Sequence, residues 1–167
     1  MSTLEVKAIQ APTGYDLVMP AGAIIQVVEG SSASDVTTTN TGVWTDSGLT
    51  ATITPKFSTS KILVIQHQFY TARFNTGGTE WEGSFRILRG STALYATVTN
   101  AFSAIAAVQS SKARVQMGNT IAQSYLDSPS TTSATTYKTQ FAGNGTNGAH
   151  SNLGSTLATI ILMEIAG

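Results

Sequence analysis

Short segments in which polar and apolar residues alternate recur along the chain, and each one is ended by residues typical of turns. The clearest segment is 61–72, where Leu63, Ile65 and Phe69 would lie on one face of a strand. A second segment, 80–89, alternates in the same way. A period of two residues predicts strands, because successive side chains of a strand point to opposite faces.

Glycine, proline and asparagine separate these segments at the spacing of roughly 8–12 residues that is typical of all-β domains. Further strands are predicted at 23–28, 43–54, 93–98, 115–117, 121–126, 137–141 and 155–165. The stretch 99–111 is compatible with a short helix or with a loop. The pattern predicts one antiparallel β-sandwich, jelly-roll-like, over residues 21–167.

The composition favours a protein that associates with copies of itself. Charged residues make up 11% of the chain, against roughly 25% in average soluble domains. Nine basic and nine acidic residues give a formal net charge of zero. Proteins near zero charge tend to associate, because little electrostatic repulsion keeps the molecules apart. The neutral charge also removes the usual basis for nucleic-acid binding, which is the neutralisation of phosphates.

Membrane insertion and disulfide chemistry are not expected. The chain contains no cysteine. Its N-terminus lacks the basic and then apolar pattern of a secretory signal, so we expect synthesis in a cytoplasm. The longest apolar runs, such as 62–65 and 104–108, are too short to span a bilayer.

No arrangement of residues indicates catalysis. His67 is predicted to be a buried core residue on the apolar face of its strand, and His150 lies beside a loop of glycine and asparagine. Glu80 and Glu82 are expected on an exposed strand face near Arg86. The glycine motifs of hydrolases, phosphate loops and dinucleotide sites are missing. The sequence therefore predicts a protein without catalytic residues, metal site or cofactor.

The first twenty residues are predicted to form an extended arm. Proline and glycine interrupt this segment twice, at 11–14 and at 20–22. It has too little apolar surface to fold alone, because ordering each backbone residue costs roughly 1–2 kcal/mol. We expect Leu4, Val6 and Ile9 to anchor the arm on a partner chain.

The predicted core takes one face from each principal strand. The residues expected to be buried are Ile53, Leu63, Ile65, Phe85, Ile87, Leu126, Tyr137, Ile160 and Leu162.

Five segments carry a resemblance to a known family. They are the opening 1–10, Ile53-Thr54-Pro55 followed by 58–64, the segment 85–93, the segment 126–137 and the ending 159–165. In this order they resemble segments of virion-surface and tail-fibre-type proteins of marine and cyanobacterial tailed bacteriophages. Each is a strand-turn-strand pattern, so the motifs report fold and carry no chemistry.

The resemblance implies a non-enzymatic structural protein on the outer surface of the virion. It implies a homotrimeric short tail fibre or fibre head, made in the host cytoplasm and joined to other virion proteins through the arm. Family members that form long fibres have a shaft between start and head, and here about a dozen residues separate the two. A capsid head-decoration (cement) protein is therefore an alternative. A carbohydrate-binding module and, with less support, a glycan-degrading enzyme are further alternatives.

A host-attachment site is predicted at the end of the sandwich distal to the arm, because functional loops lie at the ends of such scaffolds. The candidate segments are the turn 75–78 and the loop 144–152. Their side chains would hydrogen-bond a surface glycan while a nearby tryptophan stacks on a sugar ring; the residues are Asn75, Trp81, Asn144, Asn147 and His150. The alternative is that both segments are plain turns and Trp81 belongs to the core.

Overall fold

The computed structural model describes residues 19–38, 42–74, 80–96, 102–105, 115–144, 149–151 and 156–167. These residues contain no helix and form eleven strands, all paired antiparallel, which confirms the predicted all-β sandwich. The strands are β1 (Ile24–Ser32), β2 (Val36–Thr38), β3 (Thr45–Ile53), β4 (Lys61–Phe74), β5 (Glu80–Arg89), β6 (Thr92–Ala96), β7 (Phe102–Ile105), β8 (Val115–Asp127), β9 (Thr135–Asn144), β10 (Ala149–Ser151) and β11 (Ala158–Ile165).

Two sheets make up the sandwich. Sheet A has the order β1-β11-β4-β10-β2, and β8 lies along the other edge of β4. Sheet B has the order β3-β9-β5-β6, and β7 also pairs with β5. The eight principal strands therefore stack as β1-β11-β4-β8 over β3-β9-β5-β6. The chain passes repeatedly from one sheet to the other, which gives a jelly-roll-like arrangement.

The apolar core lies between the two sheets. Its fully buried side chains, each no more than 1% exposed, include Leu49, Ile53, Ile62, Val64, Ile87, Tyr137, Ile160 and Leu162. Burial of apolar surface is the dominant favourable contribution to folding, so this cluster holds the sheets together. Of the predicted core residues, Ile53, Phe85, Ile87, Tyr137, Ile160 and Leu162 are confirmed as buried.

The predicted orientation of β4 was wrong. Its inward face carries Ile62, Val64, Gln66, Gln68 and Tyr70, all buried. The predicted core residues of the other face lie on the outside of sheet A. Leu63 and Ile65 are half-buried, and His67 is exposed. Their neighbour Leu126 on β8 is 48% exposed. Both faces of β4 are apolar, so alternation alone could not show which one is turned inward.

Two buried glutamines of β4 belong to a polar layer inside the sandwich. Gln66 Nε2 donates a hydrogen bond to Gln123 Oε1 at 3.1 Å. Gln68 Oε1 accepts one from Thr139 Oγ1 at 3.1 Å, and the Thr139 hydroxyl lies 2.5 Å from Ser47 Oγ. Each glutamine therefore has a partner for one amide atom, whereas Gln66 Oε1 and Gln68 Nε2 are buried without a hydrogen-bond partner among the described residues.

Two strand predictions also needed correction. The segments 115–117 and 121–126 form the single strand β8, and the interruption predicted at Gly118 is absent. The glycine instead makes room on the sheet, because a Cβ atom there would lie within 2.5 Å of Phe69 Cζ on β4. Residues 102–105, expected in a helix or loop, form β7.

Candidate functional surfaces

The outer surface of sheet A carries a continuous row of apolar side chains across four strands. The register pairs Val27 with Met163, Met163 with Leu63 and Leu63 with Leu126. Directly paired residues lie on the same face of a sheet, so these side chains form one row. The two ends of the row are open to solvent, since Val27 is 56% and Leu126 is 48% exposed.

Neighbouring rows extend this surface. Ile161 pairs with Ile65 on one side of the row, and Ile24 pairs with Ile165 on the other. Ile24 is also 56% exposed. We call this surface the apolar face; it consists of Ile24, Val27, Leu63, Ile65, Leu126, Ile161, Met163 and Ile165. Its polar border is formed by Glu29, Lys61 and His67, all exposed.

The apolar face has the size of the apolar patches that are often functional. Four strands are about 19 Å wide at roughly 4.8 Å per strand, and the five residues 161–165 cover about 17 Å along β11. The sheet surface is therefore on the order of 300 Å². The largest apolar patch of a typical monomer is about 300–600 Å² and is often functional. A specific interface of roughly 1,000 Å² would therefore also include the polar border of this face.

The outer surface of sheet B is polar and contains a chain of contacts that spans three strands. The Arg86 guanidinium lies 4.3 Å from the centre of the Trp44 ring, and Arg86 Nε donates to Gln140 Oε1 at 2.7 Å. Gln140 Nε2 donates to Asp46 Oδ1 at 2.6 Å, and Lys138 Nζ donates to Asp46 Oδ2 at 2.9 Å. We call these five residues the polar chain.

A cleft of about 180 Å³ lies at the Asp46 end of the polar chain. It is lined by Asp46, Gly48, Leu49, Thr50, Lys138 and Thr139. An irregularity of β3 produces it: Asp46 pairs with Gln140 and Thr50 with Lys138, so β3 has two more residues than β9 in this interval. Gly48 has a φ of +80°, a backbone conformation that favours glycine. Bulges of this kind often shape functional sites.

The charge of Asp46 is stabilised by its neighbours. The hydrogen bond from Lys138 lowers the pKa of the Asp46 carboxyl, and this effect together with the bond from Gln140 outweighs partial desolvation. The side chain is therefore an ionised hydrogen-bond acceptor at neutral pH. It remains accessible, with 55% of its surface exposed.

The anchor residues predicted for the arm, Leu4, Val6 and Ile9, lie outside the described residues. The described chain enters the sandwich where β1 begins and β11 ends. There, Gly22 N donates to Ala166 O at 2.8 Å, and Ala166 N donates to Ala23 O at 2.9 Å. These two bonds fix the segment that follows the arm to one end of sheet A.

Residues 149–151, which are part of one candidate attachment segment, lie toward the other end of the sandwich. Ile165 pairs with Lys61 at the start of β4, whereas Ala149 of β10 pairs with Ala72 near its end, roughly 35 Å away at about 3.3 Å per residue. The turn 75–78, the other candidate segment, lies outside the described residues.

The individual candidate residues are only partly brought together. Trp81 lies in β5 opposite Ala104, and Asn144 ends β9 opposite Glu82, so their backbones are near neighbours in sheet B. His150 lies in β10 of sheet A, between β4 and β2. Asn75 and Asn147 are outside the part of the chain that the structure describes.

The segment 61–70 is apolar on both of its faces, and this pattern predicts self-association from the sequence, although not the four strands that form the apolar face. No sequence pattern indicates the polar chain, because Trp44, Arg86 and Lys138 are far apart in sequence. They come together only through the pairing of β3, β9 and β5.

Comparisons with known proteins do not assign the chain to a family. No protein-family model matches it, and no match is found among curated proteins. In the described ranges, no group of three or more His, Cys, Asp or Glu residues is placed to hold a metal ion. The same ranges contain no helix long and apolar enough to cross a membrane.

Proposed function

We propose that this chain is a non-enzymatic structural protein of a tailed bacteriophage virion, displayed on the particle surface as a homotrimeric short tail fibre or fibre head. The observation that carries the proposal is the apolar face of sheet A. Sandwich proteins usually place polar residues on the outer positions of their strands. Here apolar side chains occupy an unbroken row of outer positions across four adjacent strands, and the chain has no net charge.

A second copy of the chain is the partner that this face suits best. Packing this face against neighbouring copies around the symmetry axis removes it from water, and the neutral chain offers little long-range repulsion to oppose it. Glu29 and Lys61 on its border provide charges of opposite sign for contacts between copies. Symmetric assembly is the common outcome for soluble oligomers. The three-fold symmetry of the proposal comes from the sequence resemblance.

The two ends of the sandwich differ in a way that suggests how it is oriented on the particle. The arm precedes the end at which β1 begins, so this end would face the other virion proteins. The distal end and the sides would then face the host, where a surface glycan is the expected partner.

A capsid head-decoration protein is the second candidate. The same apolar face favours it, because a cement protein must also bury an exposed surface against neighbouring subunits. The two roles differ in stoichiometry: a decoration protein covers the capsid lattice, whereas a fibre occurs only at the tail.

Quantitative mass spectrometry of purified particles tests the proposal. A short fibre predicts a copy number close to that of other tail proteins and far below that of the major capsid protein. A ratio near one copy per capsid subunit would favour the decoration role. Absence from purified particles would contradict both roles.

A further inference from the structure

We infer that the cleft between β3 and β9 binds a single neutral sugar ring through its hydroxyl groups. This inference rests on the proposed function, because it names the ligand class and the site for attachment. Its evidence is separate, since it depends on the outer surface of sheet B and not on the apolar face.

The cleft presents acceptors and donors side by side. The Asp46 carboxylate accepts one bond at each oxygen, from Gln140 and from Lys138, and a carboxylate has about four lone-pair sites in total. Lys138 uses one of its three ammonium hydrogens to donate a hydrogen bond to Asp46. A pair of adjacent sugar hydroxyls can donate to the carboxylate and accept from the ammonium group at once. A sugar suits this arrangement because each hydroxyl is both donor and acceptor.

The charges of the cleft favour a neutral ligand. Asp46 and Lys138 are the charged residues of its lining, and their charges cancel. The ionised Asp46 carboxylate would repel an acidic sugar, and Lys138 would repel a cationic ligand. An uncharged polyhydroxyl ring is repelled by neither group.

The side chains of the cleft are held in place before any ligand arrives. Asp46 is fixed by Gln140 and Lys138, Gln140 is fixed by Arg86, and Arg86 packs on the Trp44 ring. Holding polar groups in their binding geometry reduces the entropy lost on binding. The continuous polar chain therefore serves as a support for the cleft.

The size of the cleft limits the ligand to one ring. Its volume of about 180 Å³ is below the roughly 300–1,000 Å³ of sites for drug-sized ligands. We expect a dissociation constant on the order of 1 mM for a monosaccharide, equivalent to about −4 kcal/mol. Several copies in one fibre would raise the effective affinity for a glycan-covered surface.

Nuclear magnetic resonance titrations of the full chain test the inference. The probes are the methyl glycosides of glucose, galactose, mannose and N-acetylglucosamine, with N-acetylneuraminic acid as an anionic probe. At least one neutral glycoside should shift the amide signals of Gly48, Thr50 and Lys138 in a saturable manner. The anionic sugar should leave these signals unchanged.

Variants separate the cleft from the rest of the surface. Asp46→Ala should weaken glycoside binding about tenfold or more, because hydrogen bonds to a charged group contribute roughly 1.5–3 kcal/mol. Lys56→Ala, which removes an exposed charged side chain outside both the cleft and the apolar face, should bind as the unchanged chain does. Dispersed spectra and an unchanged oligomer mass would show that both variants fold and assemble.

Three results would overturn the inference: no cleft signal shifts with any neutral glycoside, Asp46→Ala binds as tightly as the unchanged chain, or the anionic sugar alone binds. None of these results would affect the proposed self-association, which the oligomer mass reports in the same samples. Conversely, a monomeric chain that still binds glycosides at the cleft would refute the trimer and leave this site in place.

Discussion

Asp127 illustrates how a single residue links both sheets of the sandwich. It is buried at the end of β8, where its Oδ2 accepts a hydrogen bond from the Tyr137 hydroxyl at 2.7 Å. Arg89 Nη1 donates to both carboxylate oxygens, at 2.9 and 2.8 Å. The carboxylate thereby connects β8 of sheet A to β9 and β5 of sheet B. The sequence predicts a turn at this position, but not a contact with Arg89, which is 38 residues away.

We predict that Asp127→Ala lowers the free energy of unfolding by about 2–3 kcal/mol, because it leaves a buried hydroxyl and a partly buried guanidinium without their acceptor. Asp46→Ala is the matched control, since Asp46 also pairs with a basic side chain but is largely exposed. An exposed pair contributes about 0–1 kcal/mol. Urea unfolding of both variants measures the difference, and equal losses would contradict the role given to Asp127.

Glu164 is a buried carboxylate that is held by donors from two neighbouring segments. Gln26 Nε2 donates to it at 2.5 Å, and the backbone N–H of Lys56 at 2.7 Å. Burial alone would raise the pKa of Glu164 by desolvation, but these and further hydrogen bonds lower it below its ordinary value. The ionised form is therefore the one that the folded protein stabilises.

This lowered pKa predicts a loss of stability in acid. A carboxyl whose pKa is lower in the folded state stabilises the fold fully above its unfolded pKa of about 4.3, and this contribution declines as the pH falls toward the folded pKa. We expect Glu164→Gln to show a smaller decrease in urea midpoint between pH 5 and pH 3, about the range in which carboxyls titrate. Parallel decreases in both proteins would show that other carboxyls account for the acid sensitivity.

At the scale of strands, β1 of sheet A passes close to β3 of sheet B at Gly30. A Cβ atom at Gly30 would clash with the backbone oxygen of Thr50 and would lie 2.9 Å from Ala51 Cβ. Backbone atoms cannot move aside as a flexible side chain can. Glycine at position 30 therefore sets the spacing of the sheets at this edge.

We predict that Gly30→Ala destabilises the protein more strongly than Gly22→Ala. Gly22 has a φ of +85° but open space around it, so alanine there adds only backbone strain, on the order of 1 kcal/mol. Alanine at position 30 must push two strands apart and loosen the core, for which we expect a loss of about 2–4 kcal/mol. Thermal unfolding compares the variants. If Gly22→Ala proves the more harmful, the close approach at Gly30 is not limiting.

Alternation in the sequence was sufficient to locate the strands but not to orient all of them. The strands β3, β5 and β9 have one face that is clearly the more apolar, and their predicted core residues are buried, as are Ile160 and Leu162 of β11, which is apolar on both faces. On β4 both faces carry apolar residues, so the pattern did not show that the face with Gln66 and Gln68 is the buried one. Their partners Gln123 and Thr139 come from other strands, so only the assembled sandwich shows that these glutamines can be buried.

At the scale of the whole molecule, the sequence predicted the sandwich but neither of its candidate surfaces in full. The apolar face needs the register of four strands, in which Val27, Leu63 and Leu126 come into one row. The cleft depends on the two extra residues of β3 between Asp46 and Thr50, and no turn motif in the sequence indicates them. Local patterns cannot show either feature, since both depend on pairings between distant segments.

The arm is predicted to attach the folded sandwich to the particle. Deleting residues 2–19 should leave a sandwich with an unchanged urea midpoint, because the residues of the described core all follow this segment in the sequence. The truncated protein should no longer be incorporated into particles, as measured by mass spectrometry after assembly in infected cells. Normal incorporation would show that the attachment surface lies in the sandwich itself.

The oligomeric mass in solution tests the central claim most directly. Light scattering at micromolar concentration should give three times the 17.4 kDa mass of the chain. The double substitution Val27→Glu with Leu126→Glu places charges at both ends of the apolar row and should yield a folded monomer. Thr52→Glu, at an exposed position of sheet B, should leave the trimer intact. A stable monomer of the unchanged chain, or a trimer that survives the double substitution, would contradict the account.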